Sequence, residues 1–290
     1  MSKSTPSGFV IINKPSGITS FRVLGPIKKT FGTKRVGHAG TLDQNASGLI
    51  IAGVGKSTRL LSQIEVMDKV YEFKVHLGCS TDTLEWTGQE VAVDADGART
   101  VEEIEKILPR FLGAIAQIPP QYSAIKIKGK RASDIVHRGG EVKLKARQIM
   151  VHSLELLTKA KPSEALKEFT FRCHCSKGTY VRALARDMGE ALGTVACASK
   201  IKRTAIGHIN LKMASESIEN LVLEEPESLF DWPQIELNPA EIRFIKNGRG
   251  IRNSSQEEAE NVFVMFQGLS QAVASLKSGR LEPKFLLRDL

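Results

Sequence analysis

The chain has 290 residues, 41% of them hydrophobic, which is enough for one large domain plus a small one and enough apolar surface to bury a core, so disorder as the main state is excluded. An excess of 41 Lys and Arg over 32 Asp and Glu gives +9 and a pI near 9.4, favouring an anionic partner, nucleic acid first and an anionic membrane second. Four cysteines are too few for a disulfide scaffold, no apolar run approaches the ~20 residues of a membrane span, and Met1–Ser7 is short and polar with no apolar signal core behind it; a reducing cytoplasm fits all three.

In chain order, Phe9–Ile12 reads as a short buried strand closed by the turn Asn13–Gly17. Val23, Leu24, Ile27 and Phe31 recur at helical spacing over Thr19–Phe31, with Gly25-Pro26 predicting a kink. Val36–Ile51 holds a glycine-punctuated loop that ends in a strand at Leu49–Ile51, and Lys56–Ile64 reads as a helix. Tyr71, Phe73, Val75 and Leu77 alternate with polar residues, the mark of a half-buried strand. Thr100 and Glu103 form a capping box for a helix running to about Leu112. Phe169, Phe171, Cys173 and Cys175 alternate in another strand, so Cys173-His174-Cys175 reads as buried strand residues rather than a zinc site. Thr179 then caps a helix whose inner face is Val181, Leu184, Ala185 and Met188. An acidic, Pro-containing connector from Glu216 to Pro239 leads to a turn at Lys246–Gly250 and short strands at Phe263–Phe266 and Phe285–Leu287. Strands that alternate, interspersed with helices, define an α+β fold with a largely antiparallel sheet and a small β-rich C-terminal module.

The charge is concentrated. Between Pro119 and His152 lie Lys126, Lys128, Lys130, Arg131, Arg138, Lys143, Lys145 and Arg147, against Asp134 and Glu141 alone. Such a stripe fits a surface that tracks phosphates better than a diffuse excess does.

Three segments are candidates for chemistry. Gly53–Thr58 approaches a phosphate-binding loop, but Ile50 stands where that loop needs a glycine, so a turn into the next helix is the better reading. Gly37-His-Ala-Gly-Thr-Leu-Asp43 surrounds a His and an Asp with glycines, which lets backbone approach a ligand closely; taken alone, Asp43 is as well read as a turn residue. Cys175–Arg182 is anomalous. With Thr179 as cap, Arg182 falls at N3, where a cation opposes the helix dipole by roughly 0.3–1 kcal/mol, and an anion nearby would compensate.

At this point the residues resemble a known family, the TruB-type tRNA pseudouridine synthases. The resemblance rests on Gly37–Asp43, on Lys69-Val-Tyr71 with Leu77–Thr83, on Pro119–Lys126 and on Ser176–Arg186. These blocks stand in the family's order, from Asn13-Lys-Pro to Lys202-Arg-Thr204, and cover most of residues 9–210. Gln44 stands where the family usually has Pro, Ala39 where it has Thr or Ser, Ser133 where it has an aromatic, and Ile201 where it has Leu.

The resemblance implies isomerisation of uridine to pseudouridine at position 55 in the T loop of tRNA, with no cofactor and no metal. The base would leave the ribose through N1, turn, and rejoin through C5, after flipping out of its stack. Asp43 would be the catalytic carboxylate, paired with Arg182, which would hold it ionised. Tyr71 would stack on the base and assist removal of the C5 proton. Tyr180 and Ile201 would line the pocket, His38 would contact the T loop, and Lys14, Lys126 and Lys130 would bind the RNA. The division implied is a catalytic domain over 1–236, with an RNA-gripping insertion at about 119–152, and a PUA-like RNA-binding module over 237–290. The partner would be the T arm of tRNA, bound by a cytoplasmic monomer needing no protein partner. Two alternatives stay open: a related synthase acting on another RNA, and a non-catalytic RNA-binding or tRNA-folding protein on the same scaffold.

Overall fold

The computed structural model describes residues 6–215, 220–255 and 257–288. Among these, the alternating segments pair into a nine-stranded sheet. Its order is Gly8–Lys14, Ser47–Val54, Ala196–Ile206, Lys69–Leu77, Glu168–Cys175, Arg147–Leu156 and Gly113–Gln117, with Val36–Ala39 added to Ser47–Val54 and Ile209–Asn210 to Ala196–Ile206. Every pairing is antiparallel except that of Ser47–Val54 with Ala196–Ile206, where Lys202 faces Ser47 and Arg203 faces Gly48. The expected α+β class holds, with a mixed, largely antiparallel sheet.

One detail of register sets up the functional site. Val36–Ala39 pairs with residues 51–54, while residues 47 and 48 turn to Ala196–Ile206 instead. The connection from Ala39 to Ser47, which carries Asp43, therefore lies where a central strand changes partners. Backbone there is released from the ladder and side chains can face a cavity.

The inner face of the sheet carries Phe73, Val75, Phe169, Phe171, Cys173 and Cys175, all at most 1% exposed. Helix Val181–Ala191 lays Val181, Leu184, Ala185 and Met188 onto that face, and helix Val101–Ile107 adds Val101 and Ile104. Full burial of side chains of this size contributes about 1.5–3 kcal/mol each relative to exposure. The two cysteines are buried strand residues, as their alternation predicts. Thr100 and Glu103 form the expected capping box, but the α-helix ends at Ile107 and continues as a 3-10 turn over Leu108–Phe111, where Pro109 has no N–H to offer.

Two helices differ from expectation. The helix expected over Thr19–Phe31 begins only at Leu24. Pro26 then falls in its first turn, where an N–H would have no partner, so it interrupts no helical hydrogen bond. The helix expected over Lys56–Ile64 is a 3-10 segment, Gly55–Leu60, running into an α-helix, Leu61–Val66.

The C-terminal strands form a second, five-stranded sheet in the order Gln234–Glu236, Ala259–Phe266, Leu269–Lys277, Arg280–Leu286 and Ile251–Arg252. Helix Pro239–Lys246, opened by a capping box of Asn238 and Glu241, packs beside it. The connector expected from Glu216 to Pro239 begins outside the described residues, at 216–219. Its remainder is folded: Glu224 exchanges backbone hydrogen bonds with Phe9, Leu229 and Phe230 are buried, and Gln234–Glu236 is already a strand of the second sheet. Phe9, Ile11 and Leu49 share one apolar cluster with Phe230, Phe263, Val273 and Leu287, so the two sheets are joined through a common core.

Candidate active site

The loop carrying Asp43 rests on a buried cation. Arg203, 1% exposed, donates from Nε to the carbonyl of Leu49 (2.8 Å) and from Nη2 to that of Gly40 (3.0 Å). The glycines flanking the loop make this close approach possible. Gly48 has φ +106°, and a Cβ there would lie 2.2 Å from the Arg203 carbonyl oxygen; Gly40 has φ +68°. Lys14 braces the other side. Its ammonium donates to the carbonyls of Pro15 (3.0 Å), Ile18 (2.8 Å) and Gln44 (3.2 Å). Burial pulls its pKa down to about 8, partly opposed by the nearby charges of Asp43 and Glu85. Lys14, expected among the RNA contacts, is thus committed to holding the loop behind Asp43. Gln44 takes over some of the bracing expected of a proline, since its carbonyl accepts from the Gly17 N–H (2.9 Å) and its side chain donates back to the Gly17 carbonyl (3.2 Å).

Asp43 faces Arg182. The guanidinium donates from Nη2 to Oδ1 and from Nε to Oδ2, both at 2.9 Å, the two-point geometry that fixes a carboxylate in plane. The Arg182 side chain is only 4% exposed, against 38% for that of Asp43. Its remaining donors reach the carbonyls of Thr83 (2.8 Å) and Tyr122 (3.0 Å). The cap of its helix is Tyr180 rather than Thr179, whose hydroxyl donates to the Ser176 carbonyl instead. Arg182 is therefore at N2, one position nearer the helix end than expected. Gln117 replaces a side-chain cap, with its Oε1 accepting from the Tyr180 N–H and its Nε2 donating to the Tyr180 carbonyl. A cation at N2 still opposes the dipole, and Asp43 supplies the compensating anion.

A second carboxylate, missed in the sequence, completes the cluster. Glu85 Oε1 lies 3.6 Å from Arg182 Nε, and its Oε2 accepts from Asn45 Nδ2 (3.1 Å). Burial above all, then the neighbouring Asp43, pushes its pKa up, against the pull of Arg182. Leu84 just before it has φ +60°, a conformation a branched side chain rarely adopts, at the bend that aims both the Thr83 carbonyl and the Glu85 carboxyl at Arg182.

A cavity of about 620 Å³ gathers Asp43, Tyr71, Tyr180, Arg182 and Ile201. Tyr71 faces Arg203 across the strand pair. Burial raises the phenol's pKa, opposed above all by the charge of Arg203. Lys69 also lines the cavity, its ammonium donating to the carbonyls of Glu65 and Met67 (2.5 Å each). His38, Lys126 and Lys130 do not line it. His38 sits on the strand Val36–Ala39, with a buried Nδ1 that has no hydrogen-bond partner and a pKa lowered first by burial and then by Arg203. Lys126 and Lys130 are exposed on a small hairpin in the basic segment, and the root of that segment is tied to the site through the Tyr122 carbonyl on Arg182. Away from the cavity, Asp68, His152 and His174 bring one ligand-capable atom each within 4.8 Å of one another. His152 Nε2 lies 3.0 Å from Asp68 Oδ2, and the His152 and His174 rings pack at 4.7 Å between centroids.

The cavity thus offers a fixed carboxylate, a protonated phenol and a wall of buried cations, which suits nucleophilic or acid–base chemistry on a polar substrate. Residues 28–181 match the family described as TruB family pseudouridylate synthase (N terminal domain). The chain is 34% identical over 290 residues to the tRNA pseudouridine synthase B of Dinoroseobacter shibae, covering 96% of this chain and 94% of the relative. It is 38% identical over 244 residues to that of Borreliella burgdorferi, covering 83% and 85%. Its fold is similar to that of a chain in an H/ACA RNP bound to a substrate RNA containing 2′-deoxyuridine (TM-score 0.67, 19% identity, 97% of this chain and 84% of that one). The chain belongs to the TruB family and is an RNA pseudouridine synthase.

Proposed function

We propose that the chain converts uridine to pseudouridine at position 55 in the T loop of tRNA, with Asp43 as the catalytic carboxylate. The observation that carries this reading is the two-point grip of buried Arg182 on Asp43 at a cavity also lined by Tyr71. The names of the curated relatives support tRNA as the substrate. The target uridine flips into the cavity. Asp43 acts where the N1 glycosidic bond breaks, with Arg182 holding its two oxygens in one plane. The freed uracil turns and rejoins through C5, and the C5 proton leaves at the end. Tyr71 stacks on the base, and its hydroxyl, kept protonated by burial, relays the proton: it gives its own toward N1 as it takes the one from C5, so that N1 gains the hydrogen C5 loses. The reaction is an isomerisation, so no oxidant, reductant or cofactor enters its balance.

In this reading His38 meets the T loop, Tyr180 and Ile201 shape the pocket, and Lys126 and Lys130 grip phosphates from the insertion at about 119–152. The catalytic domain spans about 1–236 and the PUA-like module 237–290, whose sheet also takes in the strand Gln234–Glu236. The protein works as a cytoplasmic monomer. The test is incubation of purified protein with unmodified tRNA, without cofactor, followed by pseudouridine mapping. One modified T-loop uridine, lost in Asp43→Asn while tRNA binding persists, is the expected result. Near wild-type turnover by Asp43→Asn would overturn the assignment.

A further inference from the structure

A second cavity, a groove of about 800 Å³, lies beside the catalytic one. The two share Ala46 and Ile201 as walls, and the groove is also lined by Glu85, whose carboxyl reaches Arg182. Its exposed large hydrophobic residue is Trp86, 51% open to solvent. An indole so placed is usually mobile, but this one is held. One face stacks on His76 at 4.2 Å between ring centroids and 24° between planes. The His76 ring is fixed in turn by Ser199 Oγ (2.6 Å) and the Glu168 carboxylate (3.3 Å). The Trp86 backbone N–H donates to the Ala198 carbonyl (2.8 Å), and Asn45, two residues from Asp43, donates to Thr87 Oγ1 (2.8 Å). A rigid aromatic ring thus has one face covered by His76 and half its surface open, at the wall of the groove. Lys200 and Lys202 line the same groove, while Lys74 is paired with Glu168.

An aromatic plane with cations beside it is the arrangement that binds an unpaired nucleotide, the ring taking the base and the ammonium groups the phosphates. We propose that this groove is a second nucleotide subsite for the same RNA, in which one unpaired base flanking the flipped uridine stacks on Trp86 and its phosphates lie toward Lys200 and Lys202. The inference rests on the proposed RNA isomerisation and adds to it a residue that sets RNA affinity. Trp86 is here a binding residue, outside the group that touches the reacting atoms.

The chain holds two tryptophans, so in a Trp232→Phe background the emission reports on Trp86 alone. Titration with unmodified tRNA should quench that emission saturably. Trp86→Ala should raise KM for tRNA on the order of tenfold with kcat within about twofold, and Trp86→Phe should restore most of the loss. Replacing single nucleotides near the target by abasic ones should reveal one position whose loss weakens wild-type binding on the order of tenfold and leaves Trp86→Ala binding unchanged. Unquenched emission with an unchanged KM would overturn the subsite. So would an equal fall in kcat for the Ala and Phe variants, which would mark the Thr83–Thr87 loop as a support for Glu85. Pseudouridine formation by the wild-type protein in the same assay reports separately on the reaction: its presence with an unaltered KM sinks only the subsite, and its absence sinks the proposed activity.

Discussion

Arg182 meets Asp43 edge-on, with Nε and Nη2 each 2.9 Å from a different carboxylate oxygen, and the arginine is buried while the aspartate is half open to the cavity. The asymmetry means that the pair orients one group for use by a substrate. Arg182 also ties in the carbonyls of Thr83 and Tyr122, so it joins the Asp43 loop, the Glu85 loop and the root of the basic segment.

Arg182→Lys keeps the charge, but one ammonium cannot hold four acceptors in a plane. Turnover at saturating tRNA is expected to fall by roughly 10²-fold, as a misplaced catalytic group costs. Arg182→Met should bring turnover close to background and lower stability by about 2–3 kcal/mol, less than a fully buried pair because Asp43 keeps some water. Turnover at saturation and thermal melting measure the two effects. Full turnover by Arg182→Met, with weakened binding and a shallower salt dependence, would reassign Arg182 to the RNA backbone.

Tyr71→Phe keeps the ring and loses the buried hydroxyl. Binding should stay within about twofold of wild type while turnover drops by roughly 10²-fold or more, the scale of a lost proton-transfer group. Equal losses in binding and turnover would make Tyr71 a positioning residue.

Glu85 carries a pH signature. Its folded-state pKa is raised from 4.5, first by burial and then by Asp43, so the folded protein holds this proton more tightly than the unfolded chain does. Its contribution to stability is therefore greatest below pH 4.5 and is lost as pH rises through the raised value. Glu85→Gln, which can still accept from Arg182 and carries no charge, should melt at a higher temperature than wild type near pH 7. The gap should close on acidification toward pH 4.5. A gap that stays constant over that range would mean that Glu85 titrates alike in both states.

Lys14→Met tests whether this lysine braces the loop or binds phosphate. Three carbonyls lose their donor, so stability should fall by about 1–3 kcal/mol and kcat should drop with the position of Asp43. RNA affinity and its salt dependence should be unchanged. A salt slope reduced by about one would instead put Lys14 on a phosphate.

That Asp43, Tyr71 and Arg182 meet at one cavity was legible in the sequence because each stands in a block of fixed spacing. Glu85 was not, since a glutamate in a loop looks like any solvated charge until the left-handed bend at Leu84 turns it inward. Arg203 was hidden for a related reason. Its partners are backbone carbonyls of a loop more than 150 residues away in sequence, and only two glycines of positive φ, unremarkable as letters, betray how closely the chain passes over it. The helix cap was placed one residue early because Thr179 has the right hydroxyl, while the actual caps come from Gln117, brought in by strand pairing that no local pattern encodes. The strands were the easier part, because a period of two records which face is dry wherever one face packs on a core.

The ring of Phe230 lies 6.1 Å from that of Phe9 in the first sheet and 6.2 Å from that of Phe263 in the second, with Trp232 stacked on it at 4.4 Å. This rivet makes the C-terminal sheet a fixed arm rather than a hand on a tether. Trimming the tail would strip Phe9 and Leu49 of their cover and leave a sticky, weakened remnant instead of a smaller enzyme. With the second sheet riveted to the first, the distance from its outer strands to Asp43 is a fixed dimension of the fold.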